Sequence, residues 1–460
     1  MENKNTFILQ DTEAFMRGDL DNVTVSGGRI VLDLVPGGYV PYGCYTSPAV
    51  PMPLFDTMRV SWNAGTPPGT AVEAQARVLV DGNWTSWSSF GRWSPYLARE
   101  GAQPSAKGAV VIGTDSLSLD SKTATQVQMR IYLYTKDEKV SPAVSLLGAS
   151  VRALDVIPAG GRAVHARLHL MPYVVSRRAP SLLPLMDLAI SLTSLTNRWG
   201  ADILPEEFAL AMRDCRPGQS GRNLSFAAAT AGCWGFPCWV CWADLALLRA
   251  EVRAGYGVVV GLEATPAQLA QGYPALRYAA LRGFASAAEG TVVLLIDPYA
   301  GNDDFDAEIS LPMDDFLVAW NNTALCMRKR ENGPLPGCPG RTSVWLRHMP
   351  ELGPAVYHLY VNGEPHLLPD NFCGSPRTET PGEAVDDSAP PVHGGVLAWS
   401  LPDEHPHATT AHRKMHFTSP GQGGLLLELP DPANEQRLPR KYTVYAIEES
   451  GCMFVGDVMV

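Results

Sequence analysis

The feature that most constrains this chain is a set of short runs in its first third that alternate apolar and polar residues. In "TATQVQMRIYLYT", Val127, Met129, Ile131 and Leu133 share one parity, and Gln128, Arg130, Tyr132 and Tyr134 the other. Successive side chains of a strand point to opposite faces, so this pattern specifies a strand with one buried face. "VEAQARVLVDGNWTSW" alternates too, and its Asp81-Gly82 pair suits the positive φ angles of a two-residue hairpin. Gly and Pro close each short run, as in "VPGGYVPYG" and "NAGTPPGTA". The expectation is an antiparallel sandwich over about residues 20–155.

The pattern then changes to helical spacing. From Leu182 to Trp199, Leu185, Leu188, Ala189, Leu192 and Leu195 recur at helical intervals, with Pro184 near the start and Gly200 just past the end. "PEEFALAMRDC" and "WADLALLRAEVRAG" read as further helices, "GVVVGL" as a buried strand, and "ALRYAALRGF" and "TVVLLIDPY" as two strands joined by a short turn. "LPMDDFLVAWNN" reads as a last helix. Beyond Glu331, "SVWLRHM", "AVYHLYVNGEPHLL" and "KYTVYAIEESGCMFVGDVMV" return to strand patterns, interrupted by a Pro-rich acidic loop at 370–391. The predicted class is α+β, with a helix-bearing central domain between N-terminal and C-terminal antiparallel β-sandwich-like domains. The predicted boundaries are 1–158, 159–330 and 331–460.

Charge narrows the partners. The net charge of -11 and the lack of a basic run argue against nucleic acid and anionic membranes. No apolar run is long enough to span a bilayer, and "MENKNTFILQDTEAF" lacks the apolar core of a signal peptide. The expected compartment is the cytoplasm, or the cell surface or exterior if a leader has been removed. Nine scattered cysteines suit free thiols better than a disulfide framework.

The order of segments from "LRAEVRAGYGVVVGL" through "LRGF", "IDPY" and "MDDFLVAW" resembles cysteine peptidase family 39, the papain-like group that includes bacteriocin-leader peptidases. "GYVPYGCYTSP", "VSWNAGTPPGTAVEAQAR" and "GNWTSWSSFGRW" resemble the β domain that precedes it in Gram-positive members. The similarity covers about residues 35–330, and it implies a papain-like fold for the central domain. Placing Pro184 on the family's motif proline puts the nucleophile position at Leu182 and the oxyanion-stabilising Gln position at Arg177. Placing Arg282-Gly283-Phe284 on the family's Arg-Gly-Phe puts the imidazole position at Arg277. The third position survives as Asp297, and the loop "SGRNLSF" keeps Asn223 but lacks the family's Trp.

The chemistry fails on composition. A papain-type mechanism needs a thiolate activated by a neighbouring base and by a helix N-terminus. No Cys lies between Cys44 and Cys215, and no His between His169 and His348. Leucine offers no nucleophile, and an arginine stays protonated. Ser181 reads as the helix N-cap, and Asp297 as the partner of an arginine such as Arg277.

Other groupings have bland readings. Cys215, Cys233, Cys238 and Cys241 end in C-x-x-C but are crowded by Trp234, Phe236, Trp239 and Trp242, which favours core packing over zinc or redox chemistry. His405, His407, His412 and His416 lie in a loop-like segment and read as surface histidines. Trp84, Trp87, Trp93 and Tyr96 are either a row of rings for a sugar or peptide, or sandwich core.

The expected function is a catalytically inactive, peptidase-like protein that binds a peptide, a cell-wall fragment or another protein. Arg177, Arg277, Asp297, Asn223 and Trp234 are the candidate binding residues, and neither metal nor cofactor is expected. Two alternatives stand beside it: a working hydrolase with a non-standard site, and a structural or adhesive β-rich protein.

Overall fold

The computed structural model describes residues 4–329 apart from 68, 95–99, 157, 179–181, 202, 204, 215, 217–221 and 289; beyond 329 it describes the backbone of eight strands. The predicted loop at 370–391 therefore lies outside the described residues, except for Pro376–Arg377.

The alternating runs become the spine of a fifteen-stranded antiparallel sheet. Its long members are β1 (Val50–Gly65), β2 (Thr70–Val80), β3 (Ala124–Thr135) and β4 (Ala143–Ala153). Val127, Met129, Ile131 and Leu133 are all buried, as their shared parity requires. Asp81 and Gly82 take φ of 49° and 79°, and Asn83 returns opposite Val80, so the two-residue hairpin forms as predicted.

With 16 residues, β1 is long enough to serve both faces of the sandwich. Its start pairs with β3, Phe55 opposite Ala124, and its remainder pairs with β4, Trp62 opposite Leu147. One strand shared in this way curls the sheet into a nearly closed barrel around Phe55, Trp62, Met129 and Leu147.

The middle of the chain is also built on strands. β5 (Cys238–Trp242), β6 (Val258–Glu263), β7 (Leu276–Ala287), β8 (Gly290–Ile296), β9 (Glu308–Pro312) and β10 (Trp320–Met327) pair antiparallel in the order β5-β10-β6-β7-β8-β9. Ala166–Arg167 adds a seventh strand against β7. Helices attach to these sheets: α1 (Leu183–Asn197), α2 (Leu224–Cys233) and α3 (Leu245–Arg253). Gly200 and Gly255 follow α1 and α3 with φ of 77° and 89°, the left-handed conformation that ends helices.

These observations correct the fold class. The structure is mostly antiparallel β-sheet, with a nearly closed barrel-like sheet, and has no α+β papain-like core. Two segments account for much of the difference. "LPMDDFLVAWNN" stays helical only over Met313–Ala319, and its Trp320 already opens β10. "CWVCW", read as Cys-rich packing, is β5.

Helix α2 shows the same dominance, because it packs into the barrel core. Phe226 meets Trp62 edge-on at 6.0 Å, and Ser225 Oγ donates to the Val60 carbonyl at 2.6 Å. Asn63 ties the two layers together: its Nδ2 donates to the carbonyls of Ala228 and Cys238, and its Oδ1 accepts from Cys238 N. Gly232 is required at this crossing, since a Cβ there would collide with the Asn63 side chain.

Contacts divide the chain into two compact units. The first comprises Met1–Arg177, Pro184–Ala201 and Ala211–Pro339, and the second Arg178–Leu183, Asp202–Leu210 and Gly340–Val460. The second contains a four-stranded antiparallel sheet formed by Glu364–Pro365, Val356–Val361, Lys441–Glu448 and Gly451–Met459 in that order. Among the described residues, no helix is long and apolar enough to cross a membrane.

Candidate functional site

Helix α1 carries one charged residue in the stretch "LPLMDLAISL", and that residue, Asp187, is fully buried. Burying an ionised group is tolerable only with partners, and two are in place. Arg222 Nη2 donates to Asp187 Oδ1 at 2.8 Å, and the backbone N–H of Tyr278 donates to Oδ2 at 2.9 Å. Arg222 also donates to the carbonyls of Pro184 and Leu276, so one guanidinium links the start of α1 to the start of β7. Burial nevertheless pushes the Asp187 carboxyl above its ordinary pKa, opposed by Arg222 and by the N–H groups of Tyr278 and Leu188.

A second buried pair lies on the adjoining strands. Arg277, one residue into β7, donates from Nε to Asp297 Oδ2 at 2.8 Å, and both side chains are almost fully enclosed. Asp297 directly follows β8, and its other oxygen accepts from Tyr299 N at 3.1 Å. The Arg277 guanidinium stands 5.2 Å from the Tyr273 ring, and the rings of Tyr273 and Tyr299 are 5.6 Å apart. Tyr299 feels both pairs, and burial pushes its hydroxyl up to about 12, so it remains a proton donor at neutral pH.

The structure places the predicted site residues as follows. Arg277 and Asp297 come together. Leu182 is buried, and the backbone of Arg177 ends a short 3-10 turn, Val175–Arg177, its side chain lying outside the described residues. Ser181 lies outside them too. Asn223 is the N-cap of α2: its Oδ1 accepts from Phe226 N at 3.0 Å, and its Nδ2 faces Asp214 and the Thr114 carbonyl. Trp234 sits at the C-cap of the same helix. Ten helical residues span about 15 Å, so Asn223 and Trp234 do not converge on one small ligand. Asp187, Arg222 and Tyr278 were missed, although a lone carboxylate in an apolar helix was a signal for the first of them.

The thiols are placed for packing. Cys44, Cys233, Cys238, Cys241 and Cys326 are buried. Burial raises Cys44 and Cys238 above the ordinary thiol range, and Cys326 is raised by its contact with Cys241 and by burial. A catalytic thiol needs the opposite shift. On strand β5 the C-x-x-C spacing sends Cys238 and Cys241 to opposite faces, so the two sulfurs cannot act as a pair. Cys215, Tyr96, His405, His407 and His412 lie outside the described residues, and His416 is described by its backbone alone. Among the described residues, no group of three or more His, Cys, Asp or Glu side chains is placed to hold a metal.

Two smaller features complete the chemistry. His165 Nδ1 lies 3.2 Å from Ser286 Oγ, but both residues are solvent-exposed. In the first-domain hairpin, Trp93 is buried, whereas Trp84 and Trp87 are half-buried beneath the Arg77 guanidinium, at 4.8 and 4.7 Å.

Comparison with known proteins adds one informative match. Residues 9–151 match the family model described as the Peptidase C39 N-terminal domain, which relates the first third of the chain to that peptidase family. No curated protein matches. Among solved structures, those of the infectious bursal disease virus Gt and Gx strains are 10% and 11% identical over 32% and 33% of this chain. The TM-score is 0.18 for each, and the chain spans 33% of each of those chains.

Proposed function

We propose that this chain is a catalytically silent relative of the C39 peptidases that holds a peptide, a cell-wall fragment or another protein without cleaving it. The observation that carries this reading is the buried pair of Arg277 and Asp297. The family resemblance puts a base and its orienting group there. A guanidinium neutralised by a carboxylate can neither take a proton from a thiol nor shuttle one to a leaving group. Three further facts support the reading: Leu182 is buried hydrocarbon, the described thiols lie in the core, and no histidine occurs between His169 and His348. We also propose that residues 1–158, 159–330 and 331–460 are three sequence modules, the first carrying the peptidase-associated domain.

The test is incubation of the full chain with a diverse peptide mixture, cleavage being read by mass spectrometry alongside an electrophilic thiol-directed probe. The expected result is neither cleavage nor covalent labelling of the folded protein at a single hyper-reactive cysteine. Turnover that copurifies with the protein through two orthogonal columns would overturn the proposal.

A further inference from the structure

A polar groove of about 580 Å³ opens in the first compact unit, away from the buried pairs. That size suits a ligand of one or two sugar rings. Its floor is shaped by an irregularity in the central sheet. Val260 pairs with Ala324 and Leu262 with Trp320, so the single residue Gly261 faces three, Asn321–Thr323. A bulge of this kind re-aims side chains, and bulges recur beside binding sites. Asn322 takes a φ of 62°, the left-handed region that asparagine tolerates better than most residues with a side chain. Gly261 is needed opposite, because a Cβ would press on the Asn321 amide at 2.7 Å.

The groove's polar groups divide into engaged and open ones. The Arg59 guanidinium lies 4.6 Å from the Trp242 ring centre and donates to Thr323 Oγ1, with Asp115 3.6 Å away. Arg152 grips Asp56 through two bonds of 2.8 Å, and Asp244 caps α3. The cations are thus matched. Four groups in the lining have no protein partner among the described residues: Ser118 Oγ, Asn321 Nδ2, Asn322 Oδ1 and the exposed Glu263 carboxylate. They comprise a hydroxyl, a donor and two acceptors.

We propose that this groove binds a short saccharide. Sugar hydroxyls donate and accept at once, which is what a mixed set of amide, hydroxyl and carboxylate requires. A phosphate, which only accepts, would face Glu263 and Asn322 Oδ1 unfavourably. A peptide would need apolar pockets for its side chains, and the apolar part of the lining, Ala153, Val156, Pro158, Trp242 and Ala243, is outnumbered by ten polar or charged residues. Glu263 adds a preference for an amine-bearing ring over a neutral one. The inference gives one ligand class to the non-covalent role proposed above, but it rests on different residues. Hydrolytic turnover would sink that role and leave the groove's chemistry untouched.

The experiment is ligand-observed saturation-transfer NMR and calorimetry on the full chain. The probes are a β-linked glucose disaccharide, its glucosamine counterpart, tri-alanine and inorganic phosphate. Saturation transfer to the disaccharides is expected, with the amino sugar bound more tightly. Asn321→Ala and Ser118→Ala, which lie on different elements, should each weaken binding about fivefold, the effect of one lost hydrogen bond. Glu263→Gln should erase the preference for the amino sugar, and because that residue is exposed the fold should survive, as an unchanged thermal midpoint would show. The proposal fails if neither disaccharide binds at roughly 10 mM. It also fails if binding persists undiminished in the Asn321→Ala/Ser118→Ala double variant, or if tri-alanine or phosphate binds in place of the sugars.

Discussion

At the scale of single residues, two buried Asp–Arg pairs hold segments of the first unit together. Each carboxylate is engaged by a guanidinium and a backbone N–H, so each pair serves as a cross-link between segments. Breaking a buried pair strands a charge, and Arg277→Ala or Asp297→Ala alone should cost about 3–5 kcal/mol. Replacing both with apolar residues of similar volume should cost much less; urea unfolding of the three variants checks the difference. Asp187 has a pH signature of its own. Its folded pKa is raised, so the native state holds the proton more tightly than the unfolded chain does. Stability contributed by this group is therefore present below the unfolded pKa, about 4, and declines as pH rises from there toward the higher folded value. Asp187→Asn should flatten that decline when unfolding free energy is measured from pH 3 upward. If the native protein and the variant show the same slope, the burial argument for Asp187 is wrong.

At the scale of elements, the crossing of α2 over β1 is where Asn63 joins the barrel to α2 and to the central sheet. Asn63 serves three carbonyls, those of Trp62, Ala228 and Cys238, and the N–H of Cys238 there, all buried. Asn63→Ala removes these buried hydrogen bonds and should lower stability by about 1–3 kcal/mol. Gly232→Ala should cost a similar amount by overpacking, about 1–3 kcal/mol. Because both act on one contact, the double variant should lose less than the sum of the two, since the smaller residue at 63 relieves the collision. Thermal melts of the single and double variants measure this directly.

For the whole molecule, the described thiols sit in two sheets' worth of core, and their accessibility reports on global unfolding. Of the nine cysteines, Cys44, Cys233, Cys238, Cys241 and Cys326 are buried. Site-resolved alkylation should leave these five unmodified in native buffer and modify them together in denaturant. Rapid labelling of any one of them in the native protein would show an opening that the packing does not provide for. The peptidase relation of residues 9–151 and the buried thiols meet at this scale: the barrel matches a domain described for a peptidase family, while the thiols described lie in the core.

What the sequence determined by itself was local or compositional. Parity placed Val127, Met129, Ile131 and Leu133 on the inner face, because strand geometry allows a one-sided pattern only one solution. Asp81-Gly82 specified its turn, and Gly200 and Gly255 their helix ends, through the backbone angles those residues tolerate. The absence of histidine between residues 169 and 348 was equally plain, being a matter of counting. Tertiary structure decided everything that depends on partners distant in sequence. Helical spacing in "LPMDDFLVAW" could not reveal that Trp320 would pair with Leu262 and become strand. Nor could the spacing of Asp187 and Arg222 reveal their bond, since a buried charge finds its partner only once the sheet has brought Tyr278 alongside. The mostly antiparallel β class was likewise a matter of pairing: hydrogen bonds between remote strands determine it, and a single segment carries only half of each bond.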